Sequence, residues 1–226
     1  MNKAMTDRMQ SRGALVNAYF GQRYAILFYT LLFTLVVSPL VTSLEWSGIL
    51  IDVFLAANLL AAAVPAHAGL QRRVFVVAIL IAWLARSAMV WFEHPFVAAV
   101  ILGSWALIGF CAAATALRFA MRARNVGSEH LYAALSAYLL VGIFFGLSYW
   151  VIEQIVPGTF NTGAGFSRMS AIYFSFVTLA TLGYGDIVPR TDVARGLAII
   201  EGVGGQLFLA VLVARLVSLY ARRAED

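Results

Sequence analysis

Six stretches of this chain are long and apolar enough to be helices in lipid, and no other feature limits its fold as tightly. They fall at about 24–41, 48–66, 74–92, 95–117, 130–152 and 193–220. A helix needs about 20 mostly apolar residues to cross the hydrocarbon. Inside a bilayer every backbone N–H and C=O must find its partner within the protein, so runs of this length are expected to be helical. The composition agrees: 62% of the 226 residues are hydrophobic and 12% are charged. So few charges leave too much apolar surface for a water-soluble chain, and a second, soluble domain is not expected. A seventh stretch, at about 169–181, is too short to span, and its length suits a re-entrant helix that enters and leaves on one side.

The positive charges fall into a pattern. Lys3, Arg8, Arg12 and Arg23 precede the first run, and Arg72 and Arg73 lie between the second and third. Arg118, Arg122 and Arg124 lie between the fourth and fifth, with Arg215, Arg222 and Arg223 at the far end of the sixth. The intervening short loops hold Glu45 and Glu93 and no Lys or Arg. Alternate connections are therefore basic, as expected for even-numbered spans with both termini in the cytoplasm. This distribution accounts for the net charge of +5 without a nucleic acid or other acidic partner. The first residues hold charges and no apolar core, so a cleaved signal peptide is not expected and the first span would act as an uncleaved anchor. The lone Cys111 lies in an apolar run and reads as a small core residue.

Between the fifth and sixth runs, residues 153–168 (EQIVPGTFNTGAGFSR) read as an irregular loop. Then comes Thr181-Leu182-Gly183-Tyr184-Gly185-Asp186. Four consecutive carbonyls, Thr181 to Tyr184, can point the same way only if the backbone alternates in handedness. Gly183 and Gly185 sit where positive φ costs little. Rings of carbonyls can replace the water shell of a dehydrated potassium ion, one chain supplying a quarter of each ring.

TLGYGD closely resembles the filter signature of potassium channels, and IYFSFVTLATLGYGDIVP is most similar to the pore regions of two-pore-domain channels and their bacterial relatives. The resemblance covers the last two runs and the loop between them. It implies that Thr181, Leu182, Gly183, Tyr184 and Gly185 form the selectivity filter, with K+ held at Thr181 to Tyr184 and Asp186 capping the outer mouth. It also implies that the Thr181 hydroxyl faces the innermost ion and that the Tyr184 ring points into a surrounding cuff. Many potassium channels have a Trp pair where this chain has Tyr173 and Phe174. Phe174 has no donor for Tyr184, whereas Tyr173 has a hydroxyl able to reach Asp186. Val177 stands where some relatives carry a buried glutamate. A single filter signature per chain implies a homotetramer.

The sixth run contains Gly196, Gly202, Gly204 and Gly205, which permit close helix contacts or bends. The resemblance puts Gly205 at a hinge; close packing against the pore helix is the other reading. Gln206, Leu209, Val213 and Tyr220 fall roughly on one helical face; if that face lines the cavity, Gln206 meets hydrated ions and Leu209 or Val213 forms an apolar gate. Glu201 lies in mid-span, where a bare charge is costly, and is either functional or a structural hydrogen-bonding group behind the pore helix, with the neutral acid as one form of it.

The first four runs resemble the plan of six-span voltage-gated channels. However, 95–117 carries no charge, and Arg118 and Arg122 read as ordinary cytoplasmic arginines. Asp52 and Arg86 lie about 6 and 7 Å inside the same outer surface and are expected to pair. His67, His94 and His130 lie too far apart to form one metal site. The expected organisation is a cytoplasmic segment at 1–23, a four-helix domain without gating charges at 24–124, and a pore domain at 125–226. The fold class is all-α integral membrane with six spans, a re-entrant pore helix and fourfold assembly. The expected function is passive, potassium-selective conduction across the cell membrane, with lipid and K+ as partners, no cofactor and weak voltage dependence. A non-selective cation channel and a non-conducting scaffold or sensor subunit are the alternatives. An enzyme is disfavoured, since no nucleophile–base or metal cluster falls at one depth.

Overall fold

A computed structural model describes residues 22–40, 53, 56–60, 76–77, 79–80, 95–122, 127–163 and 165–225. Among these residues the regular structure is helical apart from a short two-stranded ribbon. Helix α1 is Gln22–Leu40. Parts of the second and third runs are also helical, at 56–60, 76–77 and 79–80. Asp52, Arg86, His67 and His94 lie outside the described residues, and so does the expected Asp52–Arg86 pair. Helix α2 is Pro95–Arg122, α3 is Ser128–Ile155, α4 is Arg168–Leu179 and α5 is Asp192–Glu225. Strand β1 is Phe160–Thr162 and β2 is Ile187–Pro189. Helices α1, α2, α3 and α5 are long and apolar enough to cross a membrane, and this is a multi-pass membrane protein.

The helix ends follow local chemistry. Pro95 opens α2, where its missing N–H goes unnoticed. The Gly127 amide donates to His130 Nδ1 at 3.2 Å before α3. Ser167 Oγ accepts from the Ser170 amide at 3.0 Å and caps α4. Asp192 begins α5, where its charge suits the positive end of the helix dipole.

Helix α3 is the central pillar, with α2 on one side and the short α4 on the other. Leu140, Ile143, Phe144 and Leu147 of α3 are fully enclosed. Glycine lets α3 and α4 approach. A Cβ at Gly146 would stand 2.6 Å from Ile172 Cα, and one at Gly142 would stand 2.6 Å from the Phe176 ring. Two small residues one turn apart therefore form the trough in which α4 lies. Helix α1 docks on the start of α3, where the Glu129 carboxylate accepts from the Tyr24 and Ala25 amides at 3.0 and 3.4 Å. Tyr24 stacks on Phe119 of α2 at 4.7 Å. The buried Asn58 amide donates to Thr34 Oγ1 at 2.7 Å.

The 153–168 segment differs from the irregular loop expected. Its Phe160–Thr162 stretch pairs antiparallel with 187–189, with Phe160 opposite Pro189 and Thr162 opposite Ile187. The pairing satisfies backbone groups that would otherwise need water.

Candidate functional site

The TLGYGD segment hangs from the C-terminal end of α4. Ala180 N donates to Phe176 O at 2.9 Å and Thr181 N to Thr178 O at 3.0 Å. Leu182 N and Gly183 N both reach Val177 O, at 2.9 and 3.4 Å. Successive amides thus turn back toward the helix. The φ angles are +58° at Gly183 and +80° at Gly185, the two positions where alternation demands glycine. Thr181 is a third, at +56°, which sequence reasoning missed because a β-branched residue argues against that basin. Every residue from Thr181 to Asp186 is exposed on the single chain.

Two of the expected supports have defined partners. The Tyr173 hydroxyl donates to Asp186 Oδ2 at 2.9 Å, and this bond pushes its pKa above the ordinary phenol value. The Tyr173 and Tyr184 rings lie nearly parallel, 6° apart in plane and 6.4 Å between centroids. Phe174 turns the other way, into a buried aromatic group with Tyr149 and Phe160 at 5.0 and 5.3 Å. Behind it, the Glu153 carboxylate accepts from the Gly158 and Phe160 amides at 2.8 and 3.0 Å. Arg190 closes the ribbon, its amide donating to Thr159 O at 2.7 Å and its guanidinium to Asn161 Oδ1 at 3.0 Å. The local signal for the Glu153 role is an acid just before a Pro-Gly turn, which exposes free amides.

Glu201 is 1% exposed. Its Oε2 accepts from the Tyr149 hydroxyl at 2.6 Å, and its Oε1 contacts Ser175 Oγ, which also lies 2.6 Å from Gly142 O. This is the hydrogen-bonding arrangement behind α4, with Ser175 and Tyr149 as partners that sequence reasoning did not name. Val177, two residues further along α4 than Ser175, is also buried. Gly205 is also buried, and a Cβ there would stand 2.8 Å from Leu179 O. Close packing against α4 is what the structure gives it, and α5 runs through it unbroken. Tyr138 OH reaches the same Leu179 carbonyl at 3.4 Å. Gln206, Leu209 and Val213 are exposed on α5.

A profile of the ion channel family matches residues 134–222. Two pore potassium channel c of Oryza sativa subsp. japonica is 36% identical over 91 residues, which is 39% of this chain and 18% of that protein. The inward rectifier potassium channel Kirbac3.1 of Paramagnetospirillum magnetotacticum is 34% identical over 89 residues, 38% of this chain and 28% of its own length. Probable potassium channel protein 2 of Methanocaldococcus jannaschii is 38% identical over 56 residues, 24% of this chain and 16% of that protein. The matched stretches thus span less than a third of each of these relatives. No solved structure matches the chain.

Proposed function

We propose, from the premise that residues 134–222 are an ion channel domain of the potassium channel family and not an enzyme, that four copies conduct K+ passively through rings of Thr181–Tyr184 carbonyls. One observation carries this reading: left-handed φ at alternate positions 181, 183 and 185, with the amides of 181–183 turned to α4. A backbone whose amides all turn to one side has its carbonyls free for the other, where they can replace a potassium ion's water. The chain supplies one such segment, so a closed ring needs four copies, each crossing the cell membrane six times with both termini in the cytoplasm. Helix α4 ends with its negative dipole end beneath the segment, where it favours a cation. In this arrangement Gln206, Leu209 and Val213 line the inner cavity, and the first four spans form a packing collar.

The test uses purified protein in liposomes and planar bilayers. Wild type should pass K+ with a reversal potential set by the K+ gradient, and particle mass in nanodiscs should be that of four chains. Gly183→Ala places a Cβ at positive φ, at a cost of about 1 kcal/mol or more, and should abolish selectivity or conduction. Wild-type K+/Na+ permeability in that variant would make the filter assignment wrong.

A further inference from the structure

The contacts around Glu201 contain one more acceptor than there are protons to share, unless Glu201 brings its own. Ser175 Oγ lies 2.6 Å from the Gly142 carbonyl and also contacts Glu201 Oε1. A carbonyl only accepts, and a hydroxyl has a single proton to give. If Ser175 gives that proton to Glu201, its oxygen faces the Gly142 oxygen at 2.6 Å with nothing between them. If Ser175 gives it to Gly142, the contact with Glu201 needs a proton on the carboxyl. Tyr149 does not relieve the shortage, because its hydroxyl is on the other carboxyl oxygen at 2.6 Å. Ser175 and Tyr149 are 0% exposed and Glu201 is 1% exposed, so the cluster is closed off from bulk water. Among the described residues the groups bonded to the carboxyl are hydroxyls, and an ionised carboxylate without a cation in mid-membrane is costly.

We infer that Glu201 is held as a neutral carboxylic acid that donates its proton to Ser175 Oγ, and that it is the positioning residue fixing α4 between α3 and α5. The chain of donors then runs in one direction: Tyr149 to Glu201, Glu201 to Ser175, Ser175 to the Gly142 carbonyl. It joins α5 to α3 by two routes, one direct and one through α4. Its effect reaches the TLGYGD segment through α4, because the Val177 carbonyl that holds the Leu182 and Gly183 amides lies two residues on from Ser175 in the same helix. Val177 itself has no side-chain polar group with which to do this work.

The conduction arm of the test rests on the proposed function; the spectroscopic arm does not. Difference infrared spectra of wild type against Glu201→Gln at neutral pH should show a protonated-carboxyl C=O band that shifts in D2O. Absence of that band overturns the assignment. In bilayers, Glu201→Gln keeps an acceptor for Tyr149 and a donor for Ser175, so its K+/Na+ permeability ratio should stay within about twofold of wild type. Glu201→Ala leaves both buried hydroxyls without their carboxyl and should lower the fraction of conducting filters about tenfold or more. A loss of conducting filters in Glu201→Gln equal to that in Glu201→Ala overturns the positioning role. If wild type carries no K+ at all, the proposed function falls, and the infrared band alone decides the proton.

Discussion

At Thr181 the left-handed φ puts a β-branched side chain where an L-residue is strained by about 1–2 kcal/mol. Gly183 and Gly185 take the same basin without that cost. The strain therefore falls on one residue, and the amide bonds to Thr178 O and Val177 O hold it in place. At the other end of the segment the restraint is a side chain. Tyr173 donates to Asp186 at 2.9 Å from an exposed position, where water competes for the same groups. Tyr173→Phe keeps the ring beside Tyr184 and removes that bond alone. The expected result is faster decay of K+ current during sustained opening with an unchanged K+/Na+ permeability ratio, read in single-channel and macroscopic records. An unaltered time course would show that Asp186 is held by another group.

Among the elements, α4 has the most one-sided environment. It lies in the Gly142–Gly146 trough of α3, meets Gly205 of α5 at its end, and leaves the segment it carries exposed. Helix α2 is plainer, with no charge before Arg118, and Arg118 and Arg122 are exposed at its end. Voltage biases an equilibrium only by moving charge through the field, by about 2.3 kcal/mol per charge per 100 mV. The conductance–voltage curve should therefore be shallow and should keep its slope in Arg118→Gln/Arg122→Gln. A steep wild-type curve flattened in that variant would identify the two arginines as gating charges. Helices α1, α2, α3, α4 and α5 were legible as runs because lipid solvation writes them into composition, and Ser167 and Asp192 mark starts by ordinary capping chemistry. The ribbon was not legible. Its strands are three residues each, lie in Gly- and Pro-rich sequence, and exist only because distant partners meet. Glu201 stood out as an isolated mid-span acid, but Ser175 and Tyr149 became its partners only through helix packing. Thr181 carries no local sign of its φ, which is imposed by the amide bonds around it.

Among the described residues α5 carries a bare apolar surface, where Ile199, Ile200, Val203 and Leu207 are 55% to 65% exposed. In the proposed ring this surface meets neighbouring copies and the cavity, and the bare flank of the TLGYGD segment faces the axis. Bonds within one chain bend this segment: Thr181 to Thr178, Leu182 and Gly183 to Val177, Tyr173 to Asp186. We expect a wall braced this way to have its shape before it has neighbours. Joining four such walls then resembles docking of finished parts more than folding on contact, and the entropy lost is mainly that of whole-body motion. The Leu182 amide is the gauge. In chains kept apart by dilution in detergent, its hydrogen exchange should remain as slow as that of a buried helical amide. Exchange at the rate of an unstructured loop would mean that assembly itself teaches the segment its shape. Slow exchange would place its making at an earlier moment, when a single newly inserted chain is still alone in the bilayer.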